Sequence, residues 1–179
     1  MTKIDRAELS VFSAPDPDGG GRGLDRAGLL AAAEAIQDEV VTIRRRIHRR
    51  PEVGLDLPHT QSVVLEELAK LGIQGTKGTA LSSVVAVIEG GLPGPTVLLR
   101  GDMDALPLHE DTGLDFTSEI DGAMHACGHD THVAMLLGAA RLLQDRRADL
   151  PGRVILMFQP GEEGMGGAKT MIEEGLLDA

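Results

Sequence analysis

Three short segments carry the residues with chemistry to offer. The stretch Met124-His125-Ala126-Cys127-Gly128-His129-Asp130-Thr131-His132 holds the only cysteine and half of the six histidines. Gly101-Asp102-Met103-Asp104 precedes it, and Gly161-Glu162-Glu163-Gly164 follows it. Cys127 and His129 stand two apart across a glycine. In a turn entering a helix, that spacing aims a thiol and an imidazole at one point, and a helix N-terminus favours thiolate over thiol. Thiolate and imidazole are ligands for zinc and related transition metals. Glu162 and Glu163 are neighbours, and neighbours in an extended segment point opposite ways. One carboxylate can then hold a metal while the other faces the water that the metal activates and serves as general base. Asp102 and Asp104 read in two ways: as a metal contact or a partner orienting a ligating histidine, or as formers of Asx turns. Each residue also has a plain structural reading when taken alone. Cys127 would be a small buried hydrophobe, His129 a satisfied histidine, and Glu162-Glu163 a solvated acidic turn. The three segments together favour a metal centre. Gly164-Met165-Gly166-Gly167 lacks the Gly-Lys-Ser/Thr of a phosphate loop and reads as close packing.

The elements that must position these residues follow from the apolar pattern. Residues 1–24 have little to bury and no periodicity, so a disordered tail is expected. Asp25 caps a long helix whose stripe is Leu29, Ala33, Ile36, Val40, Ile43 and Ile47, ended by Pro51. The arginines crowding its last turns suit the helix dipole and read as a solvated basic end. A second helix spans about 59–71, stopped by Gly72. Residues 83–88 and 96–100 are apolar runs that read as strands covered on both faces. Residues 101–128 lack periodicity, and a loop of that length is functional more often than not. A deeply buried helix over about 129–145, a strand at 154–158 and a short helix near 168–174 complete the order. That order predicts an α/β fold, a three-layer sandwich with a mainly parallel central sheet. Ligands gather beyond the carboxyl ends of such strands. Asp102 and Asp104 follow one strand, Glu162 and Glu163 follow another, and His129 begins the helix between them.

Composition narrows the classes. The chain has 179 residues, net charge −11 and a pI near 4.9. An acidic chain lacks the basic surface that nucleic acid or anionic membrane requires, so neither is an expected partner. Three Phe and no Trp or Tyr leave Val, Leu, Ile, Ala and Met to fill the core. One cysteine excludes an internal disulfide and fits a reducing cytosol, so a cytoplasmic location is expected. No apolar run reaches transmembrane length.

Together the segments resemble the M20 metallopeptidase/amidohydrolase family. The resemblance rests on Arg46-Ile47-His48 with Pro51-Glu52, on Arg100 to Pro107 leading to His125-Ala126-Cys127-Gly128-His129-Asp130, and on Phe158-Gln159-Pro160-Gly161-Glu162-Glu163. It is nearest to the branch of hippurate hydrolases, N-acyl-amino-acid amidohydrolases and auxin-conjugate hydrolases. It implies two divalent transition-metal ions (Zn, Mn, Ni or Co) and hydrolysis of the amide bond of small N-acyl amino acids by a metal-bound water. By motif position Cys127 would bridge the metals, with His129 and Glu163 as further ligands. Glu162 would be the general base and Asp104 the second catalytic residue. Asp102 stands where other branches carry a metal-binding histidine. Family members are longer, with further histidine ligands downstream and a lid or dimerisation domain. Residues 25–179 would then be the N-terminal part of the catalytic domain. As a fragment it is expected to be nearly inactive alone, and a homodimer is expected only of the full-length form. Two other readings remain open: a non-catalytic remnant used for binding or regulation, and a Cys-His nucleophilic hydrolase attacking through Cys127.

Overall fold

The computed structural model describes residues 26–178. The expected tail over residues 1–24 and the Asp25 cap lie outside the described residues. The stripe that reads as one long helix forms two: α1 (Arg26–Ala35) and α2 (Gln37–His48). They part at Ile36, whose ψ of 5° departs from the helical value. The Ile36 N–H bonds back three residues to Ala33 O (3.3 Å), and the four-residue step resumes with Val40 N–H to Ile36 O (3.1 Å). One tightened turn therefore bends the path without a proline or glycine.

Helix α3 (Pro58–Lys70) has proline in its first turn, where a missing N–H costs nothing. Its start is capped from outside. Glu52 accepts the backbone N–H of His59 (3.0 Å) and of Thr60 (2.8 Å), plus the Thr60 hydroxyl. Its end is a Schellman motif: Gly72, at φ +69°, donates to Ala69 O, and Ile73 donates to Leu68 O.

Four strands follow: β1 (Gly75–Lys77), β2 (Val84–Glu89), β3 (Leu92–Asp102) and β4 (Pro151–Gln159). The sheet order is β1-β2-β4-β3. The α/β class stands, but this four-stranded part is mixed: β3 and β4 run parallel, while β1–β2 and β2–β4 are antiparallel. Connection length decides this. A parallel crossover needs about a dozen residues, and only Gly90-Gly91 separate β2 from β3. The βαβ rule applies where α4 (His129–Asp145) lies between β3 and β4. β4 then slots between the two earlier strands. A Cβ on Gly90, Gly91 or Gly152 would collide with backbone carbonyls at that crossing, which is why glycine occupies all three positions.

Helices cover both faces, giving the three layers. On one face α2, α3 and α4 pack Ile43, Ile47, Val64, Leu68, Val133 and Leu137 against Val84, Leu156 and Phe158. Each fully buried aliphatic side chain contributes about 1.5–3 kcal/mol. On the other face the short α5 (Gly167–Glu173) and the turn at Leu176–Asp178 cover Ile155 and Met157 with Met171 and Leu176. Two expectations of burial change. Val97 is half exposed because β3 is an edge strand. Met135 leaves one flank of α4 open to solvent. Among the described residues no helix is long and apolar enough to cross a membrane.

Candidate metal centre

Because β3 and β4 are parallel neighbours, their carboxyl ends lie side by side, with Asp102 opposite Gln159. Met103 N–H donates to Gln159 O (2.8 Å) and carries the pairing one step further. Asp104 follows β3 and Glu162-Glu163 follow β4. Helix α4 begins over the same edge, entered through Gly128 at φ +85°, a left-handed conformation that suits glycine. The three segments therefore meet as the strand ends require.

Asp104 joins them. Its carboxylate is buried, and its two oxygens accept the backbone N–H of Glu162 (2.9 Å) and of Glu163 (3.1 Å). Its backbone carbonyl accepts a hydrogen bond from His129 Nδ1 (2.8 Å). A carbonyl can only accept, so Nδ1 carries the proton and the free lone pair of His129 is on Nε2. Nε2 lies 3.6 Å from Asp102 Oδ1 and 3.8 Å from Glu162 Oε2. The Glu turn is closed by Gly164 N–H to Glu162 O (2.7 Å). Gly167 packs so tightly on the Pro160 carbonyl that no Cβ would fit, as close packing of this glycine segment predicts.

Cys127, His129 and Glu163 bring one ligand atom each within 4.8 Å of one another. Glu163 Oε1 is buried with no hydrogen-bond partner, although unpaired buried carboxylate oxygens are costly. Cys127 is exposed, so the buried-hydrophobe reading does not apply. Its thiol is pushed up from its ordinary pKa by the neighbouring Glu163 carboxylate first, and then by the charges of Glu162 and Asp102. The thiolate expected from the helix N-terminus alone is outweighed by these carboxylates. Clustered carboxylates, an orphaned oxygen and a thiol give the site the charge and the donors to hold a cation. Sulfur, imidazole and carboxylate form a donor set that fits zinc and its neighbours. The same electrostatics disfavour an attacking cysteine, which needs a lowered pKa.

Behind the centre sits a buried polar cluster, in which Asp130 Oδ1 has no hydrogen-bond partner. Asp130, next to His129, is fully buried, and its Oδ2 accepts from Arg44 Nε (2.7 Å) and His48 Nδ1 (2.8 Å). Nε2 of His48 reaches Glu110 Oε1 at 3.2 Å. Glu110 also accepts from the Thr112 hydroxyl and from Ser118 N–H (2.7 Å). Burial alone would raise the Glu110 carboxyl, but the bonds from Thr112, Ser118 and His48 outweigh it and bring the pKa to about 2.

Similarity to known proteins bears on this arrangement. Residues 98–179 match the model of peptidase family M20/M25/M40. Over that stretch the chain is similar to the M20 family. It is 51% identical over 146 residues to thermostable carboxypeptidase 1 of Saccharolobus solfataricus, covering 80% of this chain and 37% of that protein. It is 43% identical over 143 residues to the N-acetyl-L-cysteine deacetylase of Bacillus subtilis, covering 80% and 34%. A Bacillus subtilis crystal structure described as a dinuclear metal-binding M20 peptidase superposes with a TM-score of 0.77 at 40% identity, covering 81% and 41%. The chain thus spans little more than a third of the curated relatives it matches, and these M20 relatives are named as hydrolytic enzymes.

Sequence reasoning named Cys127, His129, Glu162, Glu163 and Asp104, and the fold assembles all five. It missed the partnership of Asp102 with His132, whose Nδ1 lies 2.6 Å from Asp102 Oδ1. The three-residue step from His129 to His132 was a usable signal, because it places both on one helix face. It also missed His125, which is buried with neither ring nitrogen bonded. Burial is the leading cause that takes its pKa down to about 4. His125 lies in the His125–Asp130 motif, but the motif by itself gave it no role.

Proposed function

We propose that residues 25–179 form part of the catalytic domain of a metal-dependent amidohydrolase that cleaves the amide bond of small N-acyl amino acids. The observation that carries this reading is the convergence of Cys127, His129 and Glu163 with the orphaned Glu163 Oε1. Those three side chains would hold the divalent metal. The metal would supply Lewis acidity and an activated water. Asp104 would fix the Glu162-Glu163 turn through two hydrogen bonds and fix the His129 ring through a third. Glu162, exposed and held 3.8 Å from His129 Nε2, would take a proton from the attacking water and return it to the leaving amine. The names of the deacetylase and carboxypeptidase relatives support an acylated amino acid as substrate. Three ligands are too few for two ions, so residues 1–179 by themselves would turn over slowly.

The test is hydrolysis of N-acetyl and N-benzoyl amino acids by metal-loaded protein, before and after chelation, beside Glu162→Gln. Activity should vanish on chelation and return with metal. Glu162→Gln should bind metal normally yet lose about a hundredfold or more in kcat. Unchanged turnover in Glu162→Gln would overturn the assignment.

A further inference from the structure

His129 belongs to two sets of potential ligands. One is Cys127–His129–Glu163; the other is Asp102–His129–His132, whose ligand atoms also lie within 4.8 Å of one another. We propose that Asp102, His129 and His132 form a second, sulfur-free metal site, exclusive of the first because both draw on the one free lone pair of His129, on Nε2. His129 has one lone pair, since Nδ1–H is committed to the Asp104 carbonyl. Two sets sharing one lone pair hold one ion at a time.

The second set has the features that a metal site needs around its ligands. Ligating carboxylates are themselves hydrogen-bonded, and ligating histidines donate their other N–H. Asp102 Oδ2 is held by Arg100 Nη1 at 3.1 Å, and Oδ1 accepts His132 Nδ1–H at 2.6 Å, a proton that a bound ion would displace. Arg100 is in turn fixed by Gln159 Oε1 at 2.6 Å. His129 makes its own backbone bond. The two rings stack, with centroids 5.6 Å apart. Close helix-to-strand contact creates the juxtaposition: a Cβ on Gly101 would lie 3.1 Å from the His132 carbonyl. Gly101 therefore lets the first turn of α4 settle against the end of β3. Asp102 and His129 are buried, whereas the His132 side chain is 46% exposed, so an ion can enter from solvent. Two imidazoles and one carboxylate suit borderline divalent ions such as Zn, Co or Fe(II).

Cobalt(II) is the probe, because thiolate ligation gives a near-ultraviolet charge-transfer band that nitrogen and oxygen ligands do not. The chain and its Cys127→Ala variant are titrated with cobalt and followed by absorbance and calorimetry. Cys127→Ala should still bind one cobalt, without the sulfur band. Adding His132→Ala to Cys127→Ala should weaken that binding about tenfold or more. His132→Ala alone should keep the sulfur band and saturate it at lower cobalt, because the competing set is gone. The site is refuted if Cys127→Ala binds cobalt no better than His129→Ala, or if His132→Ala changes nothing in the Cys127→Ala background. The proposed function fails separately, through absence of the sulfur band in the parent chain. His132 is half exposed, so its removal spares the core, and circular dichroism of each variant checks this.

Discussion

His129 and Asp130 are adjacent at the start of α4, both are buried, and they serve opposite environments. Asp130 looks back to α2, where Arg44 and His48 bond one of its oxygens and Glu110 closes the far side of His48. His129 looks toward the strand ends, where carboxylates cluster, a thiol is exposed and Glu163 Oε1 has no partner. The first cluster is cross-bonded by charged groups from three segments. The second is short of positive charge. Buried charge without a partner is expensive: Asp130 and Glu163 each keep one unbonded oxygen, but Asp130 has Arg44 and His48 on its other oxygen, so we read its cluster as a scaffold and the thiol-carboxylate group as the proposed receptor for a cation. One helical step of about 100° separates the two roles.

Asp130→Ala gives the largest expected effect. It strands the Arg44 and His48 groups beside an empty buried pocket, and breaking such a pair costs about 3–5 kcal/mol. Urea unfolding of the metal-free protein measures it. A loss below about 1 kcal/mol, the scale of an exposed pair, would end the distinction between scaffold and receptor.

Acid stability comes next. Glu110 has a folded pKa of about 2 against an ordinary 4.5, so its contribution is complete above 4.5 and is lost as pH falls toward 2. His125 has a folded pKa of about 4 against 6.5 because it is buried, and it is held neutral. The unfolded chain protonates this histidine first, so its contribution is lost as pH falls from 6.5 to 4. Metal-free protein should therefore lose stability in two successive stages from pH 6.5 to 2, each with a slope of up to about 1.4 kcal/mol per pH unit. Glu110→Gln should flatten the lower stage and His125→Leu the upper. A urea midpoint that stays constant from pH 6.5 to 4 contradicts the His125 environment.

Asp104→Ala acts on the Glu162-Glu163 turn and on His129 at once. It frees two turn amides and should cost about 1–3 kcal/mol. It should also weaken metal binding about 10–100-fold, because the Glu163 backbone loses its anchor. Asp104→Asn keeps one acceptor and should fall between. If metal affinity survives in Asp104→Ala, the turn is held by its own Gly164 and Gly167 bonds instead.

These effects were unequally legible in the sequence. Helix α4 spans His129–Asp145 as its pattern predicts, because Gly128 marks the start and the apolar residues fill the interior. The five proposed site residues were legible because the positions of their segments at strand ends follow from topology, and the M20 resemblance gave each a role. The buried Asp130 cluster was not. Arg44, His48, Glu110 and Asp130 are spread over 86 residues, and each alone resembles a solvated charge. Strand β1 is three residues long with no apolar run. The sheet's mixed direction depended on a two-glycine connection whose meaning emerges only once β4 is inserted beside it. The break at Ile36 has no proline or glycine to announce it.

The smallest expected effect decides the comparison most sharply. Glu163→Gln and Cys127→Ala alter groups with few bonds in the metal-free protein, so stability without metal should change by no more than about 0.5 kcal/mol, the scale of a neutral surface substitution. Glu163→Gln also relieves the charge that pushes up the Cys127 thiol, which favours the fold if it does anything. Metal should separate the variants from the parent. At a hundredfold excess over Kd a ligand bound only by the folded state adds about 2.7 kcal/mol, and each variant should forfeit most of that gain. Thermal unfolding with chelator and then with zinc reads both halves in one experiment. Scaffold residues fail in chelator, whereas receptor residues differ only in zinc. Glu163→Gln failing in chelator as badly as Asp130→Ala would make the orphaned oxygen a structural contact and remove the reason to place a metal beside it.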